Sequence, residues 1–312
     1  MSPPIRPEIQ PLIEQLARVI RGKDEVLLAL VVAVLAEGHV LMEDVPGVGK
    51  TTLARALARA FELESKRVQF TPDLMPTDII GAAVLRPSQG EFEFVPGPVF
   101  THILLADEVN RASPRTQSAL LEAMSEGQVS MDGVTRPLPQ PFLVIATQNP
   151  VETEGTFPLP EAQLDRFLMC LRLGYPSLEQ ELEILTARRV ENPLDAVQPI
   201  ADGARLTGWQ RAVREIRVAP EVARYLLRLI HWTRDHGELA LGVSPRGALA
   251  LYRCAQARAW VEGRGFVTPG DVQALAPPVL AHRLILTPQS RYAGRAPRQI
   301  IEEALQAIPV PA

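Results

Sequence analysis

Short apolar runs alternate with longer helical patterns over the first half of the chain. The apolar runs occur in "HVLMED", "RVQF", "THILLADE", "FLVIATQNP" and "LMCLRL", and each run is short enough to be a strand. "THILLADE" and "FLVIATQNP" have apolar centres and end in polar residues, a pattern typical of buried parallel strands. Because strands that alternate with helices form parallel sheets covered on both faces, the pattern predicts a doubly wound α/β fold.

The helical segments of this region repeat their apolar residues at helical spacing. Residues 8–36 predict two helices with a break at Arg21 and Gly22, and "TQSALLEAMSEG" predicts another. In "KTTLARALARAFEL", Leu53, Leu57 and Phe61 recur every four residues and form one apolar face. This last segment follows a strand and a glycine-rich turn.

Two further segments have the pattern of exposed hairpins. "EFEFVPG" alternates polar and apolar residues, as a strand does when one face meets solvent. "VSMDGVTR" places Asp132 and Gly133 between short β-prone runs, which predicts a two-residue hairpin turn.

The pattern changes after Pro176, where helical segments follow one another and no strand run is evident. They are "SLEQELEILTARR", "EVARYLLRLIHWTRDH" and "SPRGALALYRCAQARAWVEGR". Ser244 and Pro245 are expected as the N-cap and first residue of the last helix, and "TPGD" from Thr268 repeats this signal. We therefore predict an all-helical lid domain over residues 177–312, after an α/β domain with N-terminal helices over residues 1–176.

Composition narrows the class of protein. The 312 residues are 46% hydrophobic and 22% charged, with a formal net charge of -4, so no general attraction to nucleic acid or anionic membranes is expected. The most apolar stretch, residues 26–36, is far shorter than the ~20 residues that span a bilayer, and "MSPPIRPEIQPLIEQ" lacks the apolar core of a signal peptide. We expect a cytoplasmic protein in which Cys170 and Cys254 are buried free thiols.

The segment "LMEDVPGVGKTT" is the first candidate for chemistry. Gly47 and Gly49 let the backbone approach a phosphate, Lys50 can reach the β- and γ-phosphates, and the Thr51 hydroxyl can bind Mg²⁺. The general phosphate-loop pattern has a glycine where this chain has Asp44. We expect Asp44 to be tolerated because the backbone mainly turns there, and Asp accepts left-handed geometry better than most residues. The alternative is a turn that contains G-V-G-K-T by chance.

Polar residues also follow two of the predicted buried strands. Asp107 and Glu108 follow "HILLA", where the first acid can hold Mg²⁺ and the second can polarise an attacking water. Two adjacent acids can equally cap the next helix. Asn149 ends "FLVIATQN" and can orient that water, or it can be a turn residue before Pro150.

Two arginines are weaker candidates. Arg166 in "PEAQLDRF" can be a helix-end cation paired with Asp165. Arg246 in "GVSPRG" stands in a first helical turn, an unfavourable place for a cation, which suggests a further partner. Arg246 can also be an ordinary surface residue.

In the order in which they occur, these segments resemble the MoxR family of AAA+ ATPases. The resemblance covers residues 20–290, and an acid or a glycine is usual in this family at the position of Asp44. The segments that show it are "EDVPGVGKTTLARALA", "LLADEVNRASPRTQSALLEAMSEGQV", "ATQNP", "PEAQLDRF", "GVSPRG" and "HRLIL".

The resemblance implies a role for each candidate residue. Glu108 and Asn149 would be the catalytic Walker B acid and sensor 1, Arg166 an arginine finger that acts on a neighbouring subunit, and Arg246 sensor 2. Arg111 is a further candidate for sensing the neighbouring nucleotide. Mg²⁺ would be bound by Thr51 and Asp107, and ATP by the Walker A residues and two residues near adenine: Gly47, Val48, Gly49, Lys50, Thr51, Thr52, Ile20 and Gly22.

The family also implies an activity and partners. It predicts a Mg²⁺-dependent ATPase, hexameric when nucleotide is bound, that remodels or activates a client protein, often together with a von Willebrand factor A-domain (VWA) protein. The two hairpins resemble inserts that face the pore or partners. The alternatives are the motor subunit of a metal chelatase, or a nucleotide-dependent scaffold with negligible turnover, and the complete set of Walker B and sensor residues argues against the scaffold.

Overall fold

The computed structural model describes residues 5–45, 47–86, 91–149, 155–187 and 193–311. Pro46 and Pro150 therefore lie outside the described residues. The strands, in chain order, are β1 Val40–Glu43, β2 Ser65–Gln69, β3 Gly81–Arg86, β4 Glu91–Pro96, β5 Ile103–Asp107, β6 Gln128–Met131, β7 Val134–Pro137, β8 Leu143–Gln148, β9 Met169–Leu171, β10 Leu239–Leu241 and β11 Ile285–Leu286.

The helices account for most of the remaining described residues. Short 3₁₀ turns follow β5 and α11. The α-helices are α1 Gln10–Val19, α2 Asp24–Leu35, α3 Lys50–Ala60, α4 Pro76–Ile80, α5 Pro114–Glu126, α6 Glu161–Leu164, α7 Leu178–Ala187, α8 Gly203–Arg214, α9 Pro220–Arg234, α10 Pro245–Val261, α11 Pro269–Leu280, α12 Pro288–Tyr292 and α13 Pro297–Ala307.

Five strands form one parallel sheet in the order β2-β5-β8-β1-β9, which confirms the predicted α/β core. Side chains of a strand point alternately to opposite faces. Val40 and Met42 accordingly pack in a core with α1, α2 and α3, whereas Leu41 packs in a second core on the α5 side. Burial on both faces explains why β1, β5 and β8 are apolar without alternation, whereas the edge strand β2 is largely polar.

The helices of the C-terminal half pack on one another and on α2. Helix α10 contacts α2, α8, α9 and α11. The core that contains Val40 and Met42 extends through these helices, and its residues range from Ile9 to Ile308. Ser244 caps α10, and Thr268 and Asp271 form the capping box of α11, as predicted. The boundary between residues 176 and 177 stays a prediction.

One detail of the C-terminal half differs from the prediction. The region is helical but also contains a two-stranded antiparallel ribbon, β10 with β11. These strands are three and two residues long. They are too short to give a period-two pattern, so the sequence shows no strand there.

Both hairpins are present. β3 pairs with β4 and β6 with β7, and the second turn holds Asp132 and Gly133 at φ 53° and 75°, which is the backbone of a type I′ turn. The Arg136 guanidinium lies 3.9 Å from the centre of the Phe94 ring, so a cation–π contact joins the two hairpins.

Both cysteines are free, as expected from the sequence. Cys254 is fully buried, and burial raises the pKa of its thiol to about 12. Cys170 is only partly exposed, and burial raises its pKa as well. Across the described ranges, no helix combines the length and the apolar character needed to cross a membrane.

A candidate nucleotide site at the carboxyl edge of the sheet

The glycine-rich loop joins β1 to α3 and has two residues in left-handed geometry. Gly47 has φ 87° and Gly49, the N-cap of α3, has φ 98°. A β-carbon on Gly47 would meet no atom within 4 Å, so this side of the loop is open to a ligand. A β-carbon on Gly49 would lie 2.9 Å from the Ile20 side chain, which places Ile20 directly against the loop.

Asp44 fixes the start of this loop to the strand beside it. Its carboxylate accepts hydrogen bonds from the backbone N–H of Leu173 at 2.6 Å and of Gly174 at 2.8 Å, and the residue is only 5% exposed. The expectation that Asp44 uses left-handed geometry is wrong, since its φ is not positive. An acid is accommodated here because two otherwise unpaired N–H groups after β9 need an acceptor.

Lys50 folds back over the loop. Its ammonium donates to the backbone carbonyls of Asp44 at 2.9 Å and Val45 at 3.2 Å, and the residue is 9% exposed. Burial lowers the pKa of Lys50, while the nearby carboxylates of Asp107, Asp44 and Glu108 act in the opposite direction. Val48, Thr51 and Thr52 lie half-buried beside it.

Asp107 and Glu108 lie at the end of β5 and are held by neighbouring side chains. The Arg67 guanidinium donates to Asp107 Oδ2 at 2.7 Å, and the Gln69 amide donates to Glu108 Oε2 at 2.7 Å. The Arg111 guanidinium also reaches Glu108 Oε2, at 3.2 Å. Glu108 precedes a 3₁₀ turn but makes no capping hydrogen bond with its side chain, which disfavours a capping role.

Thr147 links the two acids. Its hydroxyl donates to Asp107 Oδ1 at 2.5 Å and accepts the backbone N–H of Glu108 at 2.9 Å. Glu108 itself has a left-handed backbone, with φ 56° and ψ 50°. Such geometry costs of order 1 kcal/mol or more for a residue other than glycine, and the bond to Thr147 helps to hold it.

The sequence had not identified Thr147, Arg67 or Gln69 as part of the site. Thr147 lies inside the quoted segment "ATQNP", and the signal was a hydroxyl within an otherwise apolar strand. Arg67 and Gln69 are two residues apart on β2, so they point to the same face. The sequence "RVQF" shows that both residues alternate with Val68, but it does not show which strand pairs with β2.

The remaining candidates at this edge are Asn149, Ile20 and Gly22. Asn149 directly follows β8, which pairs with both β1 and β5, so it lies at the same edge as the acids. Gly22 has φ 65°, and a β-carbon there would overlap the Gln180 side chain of α7 at 1.8 Å. Asn149 therefore shares this edge with the acids, whereas Ile20 lies against the loop and Gly22 follows Ile20 by two residues.

Arg166 lies away from the glycine-rich loop and contacts α5. Its guanidinium donates to the Leu121 carbonyl at 2.6 Å and to the Ser125 hydroxyl at 2.7 Å, both in the last half of α5. The alternative of an Arg166–Asp165 pair is wrong, because the Asp165 carboxylate binds Arg283 at 2.8 Å and the Ser244 hydroxyl at 3.0 Å.

Arg246 is exposed on the first turn of α10 and also lies on the side away from the loop. Its charge acts on His39 and Arg283. His39 comes immediately before β1, accepts the Val144 N–H and contacts the Met124 carbonyl, so it marks the amino edge of the sheet. Burial is the main reason that the pKa of His39 falls to about 4, and the Arg246 charge adds to this effect.

The candidate residues therefore fall into two groups at opposite edges of the sheet. β8, with six residues, spans about 20 Å at ~3.3 Å per residue. Arg166 and Arg246 lie near the amino end of this span, and the loop follows the carboxyl end of the neighbouring strand β1. Within the described part of the chain, the phosphate loop and these arginines do not meet.

Asp44→Gly provides a direct test of the anchor at the loop. This change restores the general phosphate-loop pattern but leaves two N–H groups after β9 without their acceptor. We expect the free energy of unfolding to fall by about 2 kcal/mol and the affinity for ATP to decrease. Urea unfolding and titration of a fluorescent ATP analogue measure the two effects. Unchanged stability with equal or tighter binding would show that the carboxylate has no anchoring role.

Thr147→Val keeps the shape of the side chain but removes both hydrogen bonds to the acids. We expect ATP turnover to fall by about tenfold or more, with a small change in KM, because a lost bond to a charged group corresponds to roughly 1.5–3 kcal/mol. Thr147→Ser is the matched control and should retain most of the activity. Steady-state ATPase assays measure kcat and KM for both, and equal loss in the two variants would indicate a packing role only.

Two family models match the chain. Residues 39–169 match an ATPase family associated with various cellular activities (AAA), and residues 232–304 match an AAA lid domain. The first range runs from β1 to the start of β9 and includes the loop, the acids and Arg166. The second begins within α9 and includes α10 and Arg246.

Full-length relatives agree with these matches. YeaC of Bacillus subtilis (strain 168) is 47% identical over 98% of this chain and 96% of its own length. Chaperone MoxR1 of Mycobacterium tuberculosis (strain H37Rv) is 43% identical over 95% of this chain and 81% of its own. A crystal structure from Cytophaga hutchinsonii is 38% identical, has a TM-score of 0.91, and covers 98% of this chain and 95% of that one. Together with the two-part site, these likenesses show that the chain belongs to the MoxR family of AAA+ ATPases.

Proposed function

We propose that this protein binds ATP with Mg²⁺ at the carboxyl edge of its sheet and hydrolyses it. The observation on which this depends most is the bonding of Asp107 and Glu108 to one buried hydroxyl, that of Thr147. This arrangement fixes the Asp107 carboxylate and the Glu108 backbone beside a loop whose glycines leave room for a phosphate. A turn that contained G-V-G-K-T only by chance would not require this hydrogen bonding of the two acids.

The residues present fit nucleotide and metal. Gly47 has open space where a side chain would otherwise stand, and the N–H groups at the start of α3 have no acceptor in the helix itself. The Thr51 hydroxyl and an Asp107 oxygen are the hard oxygen ligands that Mg²⁺ prefers. The proposed ATP-binding set is Gly47, Val48, Gly49, Lys50, Thr51 and Thr52, with Ile20 and Gly22 toward the adenine.

Each residue of the site then has a chemical task. Bound Mg²⁺ would neutralise charge on the phosphate oxygens. Lys50 places a positive charge near the β- and γ-phosphates, Glu108 takes a proton from the attacking water, and Asn149 orients that water. The hydrogen bonds from Gln69 and Arg111 hold the Glu108 carboxylate, so they must loosen or shift for that proton transfer.

The arginines complete the site from a second copy of the chain. Because Arg166 and Arg246 are near the edge of the sheet opposite to their own loop, we infer that they act on the nucleotide of a neighbour. Arg166 uses one of its nitrogens for Leu121 and Ser125, and a guanidinium has five N–H donors. Donors therefore remain for a phosphate. A closed ring repeats this contact, and a hexamer is the number that the family implies.

Remodelling or activation of a client is the role that we propose for this cycle. The name of the relative Chaperone MoxR1 supports it over the chelatase motor that was the alternative. The bonded acids argue against a scaffold with negligible turnover. A VWA partner, the client-facing hairpins, a nucleotide-sensing role of Arg111 and the cytoplasmic location stay predictions of the family resemblance.

Mixing two inactive variants tests whether Arg166 acts on a neighbour. Lys50→Ala disables the loop, and Arg166→Ala removes the finger, so each protein alone should lose nearly all turnover. A finger supplied by a neighbour contributes ~10³–10⁵ in rate in related systems. In mixed rings, the intact loop of one variant meets the intact arginine of the other. We therefore expect part of the ATPase activity to return.

The double variant Lys50→Ala, Arg166→Ala is the control, since mixing it with Lys50→Ala supplies no intact loop and should restore nothing. Arg228→Ala, which changes an exposed arginine on α9, should keep wild-type turnover. Fluorescence transfer between labelled chains verifies that mixed rings form. If they form and activity stays at the level of the separate variants, Arg166 does not act on a neighbour.

A further inference from the structure

Helix α7 exposes a row of leucines. Leu178, Leu182 and Leu185 are 79%, 63% and 73% exposed. Their spacing of four and then three residues puts them on one side of the helix. A contiguous apolar row of this kind on a surface helix commonly marks a site of contact with another protein.

Helix α7 lies beside the candidate nucleotide site, with Gln180 on its inner side and the leucine row on the opposite, outer side. The Gln180 side chain of α7 fills the space in front of Gly22, and the Lys23 ammonium donates to the Tyr175 carbonyl at 2.9 Å just before the helix. Ile20, two residues before Gly22, touches Gly49 of the loop. A subunit that reaches this nucleotide site from outside must therefore approach α7.

Helix α10 has a surface that matches this row. Arg246, Leu249 and Arg253 are exposed and three and four residues apart, so they form one stripe with a leucine between two cations. No Asp or Glu occurs between Pro245 and Val261. Helix α7 has Glu179 and Glu181 in its first turn, and neither Lys nor Arg occurs between Leu178 and Ala187. The two surfaces are complementary both in apolar character and in charge.

We propose that α7 of one protomer packs against the first two turns of α10 of a second copy, with the leucine row covering Leu249. This interface rests on the proposed function, in which Arg246 reaches the neighbour's nucleotide. Arg246 is on the first turn of α10, so its arrival brings Leu249, one turn later, close to α7. The second copy is the occupant because the proposed function already brings the Arg246 of a neighbour to the nucleotide site beside α7, and the stripe on α10 matches α7 in apolar character and charge.

Cross-linking between two chains tests the contact. One tagged protein has Leu182→Cys and a differently tagged protein has Leu249→Cys, both as full-length chains. With ATP and Mg²⁺, a short bismaleimide should join the two tags in good yield. The matched control replaces Leu249→Cys by Leu227→Cys, since Leu227 is similarly exposed, at 47%, but lies on α9. The native Cys254 is fully buried and Cys170 partly so, and each single variant reports their background.

A second arm measures assembly. Leu182→Glu with Leu185→Glu should raise the protein concentration for half-assembly in ATP by at least tenfold in sedimentation velocity, whereas Leu227→Glu should leave it unchanged. ATP-analogue binding by the unassembled chain checks that the variant is folded. This interface is overturned if rings form in ATP, cross-linking does not exceed the Leu227 control, and the α7 variant still assembles. The proposed function would remain intact in that case. If wild-type chains never assemble in ATP, both this interface and the proposed function are overturned.

Discussion

The parallel direction of the five central strands is the constraint on which the arrangement of this molecule depends. All carboxyl ends of a parallel sheet lie at one edge, so β1, β5 and β8 bring the loop, the acid pair and Asn149 together there. Helix α5 runs back from this edge, and its far end binds Arg166 near His39. The same topology that assembles one half of the site thus separates the other half from it.

Buried hydrogen bonds then make the assembled half rigid. The Asp44 carboxylate joins the loop to the chain after β9, and the Thr147 hydroxyl joins β8 to Asp107 at the end of β5 and to Glu108 directly after it. Buried polar groups are costly unless they are paired, so each of these contacts also fixes a register between neighbouring strands. Asp44 departs from the general phosphate-loop pattern because its carboxylate has a structural partner that glycine could not bind.

Local patterns in the sequence were sufficient for the fold, because apolar runs, helical spacing and Asp132-Gly133 each act over a few residues. They were insufficient where two distant segments meet. The partners of Asp44, the contacts of Arg67 and Gln69 with the acids, and the short ribbon of β10 and β11 depend on pairings more than 30 residues apart. The resemblance to a family named the site residues and a neighbour-directed role for Arg166, but not that Arg246 also lies away from its own loop.

The dependence of ATP turnover on protein concentration tests most directly whether one chain has only half of the site. Turnover per chain would be measured across the range in which sedimentation in ATP shows monomers becoming rings. A site completed by a neighbour predicts that turnover per chain is close to zero for monomers, rises with the fraction assembled and then reaches a plateau. Turnover per chain that is constant across this range would contradict the account, because it would show that a single chain holds the complete site.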